Sequence, residues 1–301
     1  MIMKISFIGL GQMGKGMAFN LAKCGCDYLV NDISDKTFPE FQAKGIRTSQ
    51  NIKDTYDSDI IFLCLPDTKI VEAVTIGQGG LIEHLKAGQI LVDCSTIAYL
   101  PTLKISEAFA ANGVEFMDCP ISGRQSRADD GTLTIMCAGK EEIFKKIKPY
   151  IDLMGTEIMY MGKSGNGQLT KMINNCIYDI NIAGFCELLT VAVKLGLDPE
   201  KIGAVINTGS AKSDASAFFV PQILEGKFDY GFTMNDAYKD ITSCVEITSL
   251  RGLPVPMLDA MNSIYKMTIA KGYGEKYKGA MVRVYEDIME IKVRKAGFEN
   301  T

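Results

Sequence analysis

Lys4-Ile5-Ser6-Phe7-Ile8-Gly9-Leu10-Gly11-Gln12-Met13-Gly14 opens the chain with a short strand-like run that passes directly into a glycine turn and then a helical pattern. The order strand, glycine turn, helix is the context that gives a G-x-G-x-x-G spacing its meaning. Gly9 permits the tight turn, Gly11 lets backbone approach a pyrophosphate, and Gly14 lets the helix lie close on the strand. The helix start adds unpaired amides and the positive end of its dipole. Gly9, Leu10, Gly11, Gln12, Met13 and Gly14 therefore read as a dinucleotide cradle, the alternative being glycines that only shape a turn. Asp32 ends the next strand-like run, after Asn31, near the roughly 20-residue offset expected of the acid that holds the adenosine ribose. A carboxylate there repels a 2′-phosphate, and Ile33 offers no cation to grip one. NAD is thus favoured over NADP, with Asn31 and Asp32 expected at the cofactor.

Outward from this turn, short β-branched runs alternate with helical patterns, as in repeated strand-helix-strand units on a mainly parallel sheet. Lys4–Ile8, Tyr28–Asn31, Asp59–Leu63 and Ile90–Asp93 read as strands, followed by Val114–Met117, Thr132–Cys137 and Glu157–Met161. Met13–Cys24, Asp35–Ala43, Leu103–Ala111 and Glu141–Met154 read as helices. After Gly165-Asn166-Gly167 the strand signal fades, and Gln168–Leu195 is apolar nearly all round, the pattern of a helix buried on every side. Further helices are expected at Pro199–Val205, Ala217–Leu224, Met234–Leu250, Met257–Lys271 and Ala280–Lys292. The expected fold is an α/β Rossmann-type doubly wound sheet over residues 1–163, then an all-helical C-terminal domain over 164–301 that begins with a long interdomain helix. Gly162–Gly167 marks the boundary, and a ligand cleft is expected there, because pockets favour domain junctions.

The 301 residues are 47% hydrophobic and 23% charged, which is ordinary for a folded protein of this length. Thirty-six acids against 32 bases, without blocks of one sign, provide no basic surface for nucleic acid and none for an anionic membrane. No segment approaches the roughly 20 apolar residues that span a bilayer, and Met1-Ile2-Met3-Lys4 leads into a strand rather than a secretory signal. A cytoplasmic location is expected. The nine cysteines lack zinc-type spacing and read as buried reduced thiols, so no metal site is expected. The single histidine, His84, lies in a surface-like stretch, which removes histidine from any proton relay.

Several further stretches, taken in order, resemble the β-hydroxyacid dehydrogenase family, which includes 3-hydroxyisobutyrate dehydrogenase, tartronate semialdehyde reductase and sulfolactaldehyde reductase. They are Gly9–Gly14 with Met17-Ala18 and Asn20-Leu21, Leu65-Pro66-Asp67, Asp93-Cys94-Ser95-Thr96, Asp118-Cys119-Pro120-Ile121-Ser122-Gly123, Gly131–Met136, Gly165–Lys171 with Asn174-Asn175, and Lys239-Asp240. The resemblance covers nearly the whole chain and implies a fold like that of 6-phosphogluconate dehydrogenase. It also implies roles: Leu65, Pro66 and Thr96 near the nicotinamide, and Ser122 and Gly123 at a substrate carboxylate, with Thr96 in reach of substrate too. Lys171 matches the catalytic lysine and Asn175 the substrate-binding asparagine beside it. Lys239 and Asp240 match a pair that reaches cofactor and substrate from the helical domain.

The residues at the centre also suggest their chemistry directly. Lys171 and Asn175 lie one helical turn apart and so share a face. Removing water from a lysine on a mostly apolar helix disfavours its charged form, which brings it toward the range where it can take a hydroxyl proton and return it. The expected activity is hydride transfer between the cofactor and a small 3-hydroxy acid or its semialdehyde. Arg124 stands where relatives carry a second glycine; its planar five-donor fork suits a second anionic group on the substrate, or a tighter grip on the first. Blander readings stay open: Lys171 as a snorkelling lysine, Asn175 as a helix bridge, Ser122-Gly123 as a plain loop, Arg124 turned to solvent, and Lys239-Asp240 as a solvated charge pair. An imine reductase-like enzyme and a non-catalytic NAD-binding protein of the same fold are the competing functions. The apolar helix from Ile173 to Leu195 suggests contact with a second subunit, hence a homodimer or homotetramer.

Overall fold

A strand covered by helices on both faces has no polar side, so continuous apolar runs become the inner strands of a parallel sheet. The computed structural model describes residues 2–229 and 231–298. The chain divides into two compact units, Met1–Lys171 and Met172–Thr301. The first unit runs β1 (Lys4–Ile8), α1 (Gly14–Leu21), β2 (Asp27–Asn31), α2 (Phe38–Gln42), β3 (Arg47–Ser49), β4 (Ile60–Leu63), α3 (Thr68–Thr75), β5 (Ile90–Asp93), α4 (Tyr99–Ala111) and β6 (Glu115–Asp118). It continues with β7 (Ile121–Ser122), α5 (Gln125–Asp130), β8 (Leu133–Cys137), α6 (Glu141–Ile151), β9 (Gly155–Tyr160) and the start of α7 (Asn166–Lys194).

The main sheet has the order β3-β2-β1-β4-β5-β6, with every pairing parallel. Alternate residues serve opposite faces. Ile60, Phe62 and Val92 pack with Met17 and Leu21 of α1 and Ile143 and Ile147 of α6. Ile61, Leu63 and Leu91 pack with Val71 of α3 and Ile105 and Phe109 of α4. The order reverses between β1 and β4, so the turns leaving these two strands flank the switch point where such sheets bind nucleotides. A smaller sheet, β7-β8-β9, follows, antiparallel between β7 and β8 and parallel between β8 and β9.

The second unit contains the rest of α7, then α8 (Pro199–Thr208), α9 (Asp214–Leu224), α10 (Met234–Leu250), α11 (Pro256–Thr268) and α12 (Val282–Met289). Its helix starts are locally encoded. The Asp198 carboxylate accepts from Lys201 N at 3.0 Å ahead of α8, and the Thr233 hydroxyl accepts from Asp236 N at 3.1 Å ahead of α10.

Two expectations need correction. The long helix is not buried on every side: Ile173, Ile177 and Leu188 of α7 are 44%, 55% and 65% exposed. Apolarity all round does not tell a helix covered within its own chain from one with an uncovered face. The same helix is long and apolar enough, by length and composition, to cross a membrane, contrary to the reading that no segment approaches this. Polar residues along it are nevertheless bonded to other parts of the second unit. Asn175 gives its amide to Asp240 of α10, and Asp179 pairs with Lys278 at 2.6 Å, both side chains almost fully buried.

Candidate active site

The turn after β1 has the geometry its glycines demand. Gly9 has φ +98°, a left-handed value, and a side chain there would collide with the Cys64 carbonyl that follows β4. Gly14 lies equally close against the Gly9 carbonyl, which seats α1 on the strand. Above Gly11 there is open space, since an added methyl would meet nothing within 4 Å. Backbone packed on one side and open on the other suits a pyrophosphate, so the residues present fit a dinucleotide, which the Gly9–Gly14 turn and Asp32 would hold. Asp32 already faces this turn: Oδ2 accepts from Leu10 N at 2.6 Å and Oδ1 from Ser34 N at 2.8 Å. Each oxygen keeps a lone pair for a ribose hydroxyl. Ile33 is 92% exposed. Asn31 is buried, with its side chain donating to Ser49 O at 2.8 Å.

Beside the switch point, Leu65 and Pro66 follow β4 and Thr96 follows β5. A hydrogen-bonded body joins these turns. Leu65 N donates to Ser95 Oγ at 2.9 Å, Ser95 N donates to Asp93 Oδ1 at 2.9 Å, and Ala98 N donates to Thr68 Oγ1 at 3.0 Å. Asp118, paired with Asp93 in the β5–β6 register, receives Gly165 N at 2.8 Å on Oδ1 and Gln168 N at 3.0 Å on Oδ2. It thus caps the start of α7, the helix that presents Lys171 one turn further on. Burial pushes the Asp93 carboxyl up to about 7 and Asp118 up to about 6, against hydrogen bonds from Ser95 and from the α7 amides that lower them.

Ser122 closes the two-residue strand β7. Gly123 follows at φ +145°, where a side chain would press on Leu133 and Arg127. Arg124 is exposed at the start of α5. Arg127 is engaged within the fold, where its guanidinium donates to the Thr132 carbonyl and ties α5 to the entry of β8. In the second unit, Asn175 Nδ2 donates to Asp240 Oδ2 at 2.8 Å, and both residues are half-buried, as is Lys239 beside them.

All nine cysteines are free thiols. Cys64, Cys94 and Cys119 follow β4, β5 and β6 in one row, and burial pushes the first up to about 12 and the other two well above their ordinary range. Such thiols act as packing residues. His84 is exposed and stacks on Tyr56 with ring centroids 4.3 Å apart. No metal-binding cluster of His, Cys, Asp and Glu occurs among the described residues. Sequence reading did not single out Gln168 or the capping role of Asp118, since neither function has a local signal.

Two family models cover the chain. That for the NAD-binding domain of 6-phosphogluconate dehydrogenase matches residues 4–162, and that for the NAD-binding region of NADP-dependent 3-hydroxyisobutyrate dehydrogenase matches residues 165–285. The chain is 36% identical over 292 residues to 2-(hydroxymethyl)glutarate dehydrogenase of Eubacterium barkeri, covering 96% of this chain and 97% of the relative. It is 31% identical over 287 residues to 2-hydroxy-3-oxopropionate reductase of Escherichia coli, covering 94% and 97%. In fold it resembles the crystal structure of 3-hydroxyisobutyrate dehydrogenase from Salmonella typhimurium, with a TM-score of 0.83 at 20% identity, over 94% of this chain and 99% of that one. The cradle at Gly9–Gly14, the sheet order around it and these matches lead to one assignment: the chain belongs to the β-hydroxyacid dehydrogenase family of NAD(P)-dependent oxidoreductases acting on the CH–OH group of hydroxy acids.

Proposed function

We propose that this protein transfers hydride between NAD and a small 3-hydroxy acid, or the matching semialdehyde in reverse, with Lys171 as general acid and base. The observation that carries the reading is the polar stripe on α7. Lys171 and Asn175 share a face one turn apart, and Asp240 accepts one hydrogen of the Asn175 amide, whose second Nδ2 hydrogen would donate to the oxygen of a substrate hydroxyl. The nicotinamide, when bound, supplies the hydride acceptor or donor. In oxidation the neutral Lys171 amine takes the hydroxyl proton, and in reduction its ammonium returns a proton to the carbonyl oxygen. Ser122, the Gly123 amide and Lys239 hold the substrate carboxylate, while Leu65, Pro66, Thr96 and Asp240 complete the surroundings of cofactor and reacting carbon. NAD rather than NADP fits Asp32, whose carboxylate would face a 2′-phosphate.

The exposed Arg124 is assigned a second anionic group on the substrate. The 2-(hydroxymethyl)glutarate named for the most identical of the relatives described above carries two carboxylates, which supports this choice. The relatives' names, a dehydrogenase and a reductase of hydroxy acids, favour hydroxyl over imine chemistry.

The test is a panel of 3-hydroxy acids and semialdehydes with one or two anionic groups, read by nicotinamide absorbance with NAD and NADP in parallel. Turnover is expected with NAD, and a two-anion substrate should have the lowest KM. Lys171→Ala should lower kcat by about 10²- to 10⁴-fold while cofactor binding, measured by calorimetry, persists. Wild-type turnover in that variant would remove the lysine from the mechanism.

A further inference from the structure

Gln168 is 1% exposed, and every polar atom of its carboxamide is used. Nε2 donates to Ser95 O at 2.7 Å, and Oε1 accepts from Ile97 N at 3.1 Å. These two backbone groups lie on either side of Thr96. The Gln168 amide N donates in turn to Asp118 Oδ2 at 3.0 Å. Ser95 Oγ also receives Leu65 N at 2.9 Å. Leu65, the Thr96 loop and the first turn of α7 thus share one set of bonds, all within the first unit, and Lys171 stands one turn beyond Gln168 in that unit.

We propose that Gln168 is a positioning residue for the reaction: its side chain clasps the backbone around Thr96 and fixes that loop against the turn of α7 that carries Lys171. The inference rests on the reading of Lys171 as the proton-transferring group. Only glutamine meets the geometry. The clasp needs one donor and one acceptor side by side at this reach; asparagine is a methylene too short, glutamate has no proton for Ser95 O at neutral pH, and methionine fills the volume without either bond. A buried glutamine that merely satisfied two backbone groups would affect folding stability alone. One that sets the angle between two working parts affects turnover, because displacements near 1 Å in a reacting geometry cost about 100-fold.

The test compares Gln168→Met with wild type, alone and combined with Lys171→Ala. Gln168→Met is expected to lower kcat by about 10- to 100-fold, with KM for cofactor changed by less than about twofold. In the Lys171→Ala background it should add almost nothing, because the group being positioned is gone. Wild-type kcat in Gln168→Met beside an inactive Lys171→Ala would overturn the clasp and leave the lysine in place; so would an equal fold-loss in both backgrounds. Full turnover in Lys171→Ala would instead overturn the parent reading, which the single variant detects by itself. Circular dichroism checks folding. Should Gln168→Met fail to fold, Gln168→Glu carries the test: its loss of kcat relative to wild type should shrink as pH falls and the protonated carboxyl regains a donor for Ser95 O. A loss that stays constant with pH would overturn the proposal.

Discussion

Asp93 accepts hydrogen bonds on Oδ1, while its buried Oδ2 has no hydrogen-bonding partner. Asp118 sits across the strand pair and Cys64 close by. Burial, followed by the neighbouring Asp118 charge, holds this carboxyl up to about 7 in the folded chain, well above its ordinary value. A folded-state pKa above the unfolded one means the fold prefers the protonated acid. The stabilisation is therefore complete below about pH 4 and is lost as pH rises through about 7. Asp93→Asn, which resembles the protonated acid, should flatten this decline. Relative to the variant, wild type is expected to lose roughly 2 kcal/mol between pH 4 and 8, after allowance for relaxation around the buried charge. Urea midpoints across that range provide the measurement, and parallel pH profiles for the two proteins would show that Asp93 does not titrate there.

At the scale of elements, the Asp179–Lys278 pair joins α7 to the turn ahead of α12, with Lys278 lying over the rings of Tyr178 and Phe232 at 5.4 and 5.6 Å. A buried ion pair is costly to break from one side. Lys278→Met should destabilise the chain by about 3–5 kcal/mol, whereas Lys278→Met with Asp179→Leu should recover most of that loss. Equal destabilisation in single and double variants, by urea unfolding, would contradict this account. Neither partner was legible in the sequence, because ion pairing between segments this far apart leaves no local trace. The inner strands were legible, since Ile60–Leu63 and Ile90–Asp93 are short unbroken runs of buried residues entered from Ser58-Asp59 and Gly88-Gln89. β3 was missed because Arg-Thr-Ser at a sheet edge has no apolar pattern, and β7 because two residues make no run at all. α3 was also missed. α5 has no helical signal in the sequence, because only Ala128 of its polar stretch is buried. Of the candidate site, the glycine turn and Asp32 could be read from spacing, whereas Gln168 could not: its meaning lies in partners about 70 residues away.

For the whole molecule, the uncovered face of α7 bears on assembly. Ile173, Ile177 and Leu188 recur at helical spacing on one side, roughly opposite Lys171, Asn175 and Asp179. Apolar groups aligned this way favour a second copy of the chain over water. Light scattering is expected to show a mass of two or four times 32.9 kDa. Ile177→Lys with Leu188→Glu should shift it toward a single chain, and a monomeric wild type would end the idea.

The clasp made by Gln168 also bears on biogenesis. The six strands of the main sheet are complete once Asp118 has left the ribosome, yet the backbone on either side of Thr96 gains its lock only when residue 168 emerges. In a nascent chain cut short ahead of that point, the loop has the partners for its bonds with Leu65, Asp93 and Thr68 but lacks the two that Gln168 supplies. On the positioning role proposed for Gln168, competence for chemistry arrives later in synthesis than the architecture that supports it.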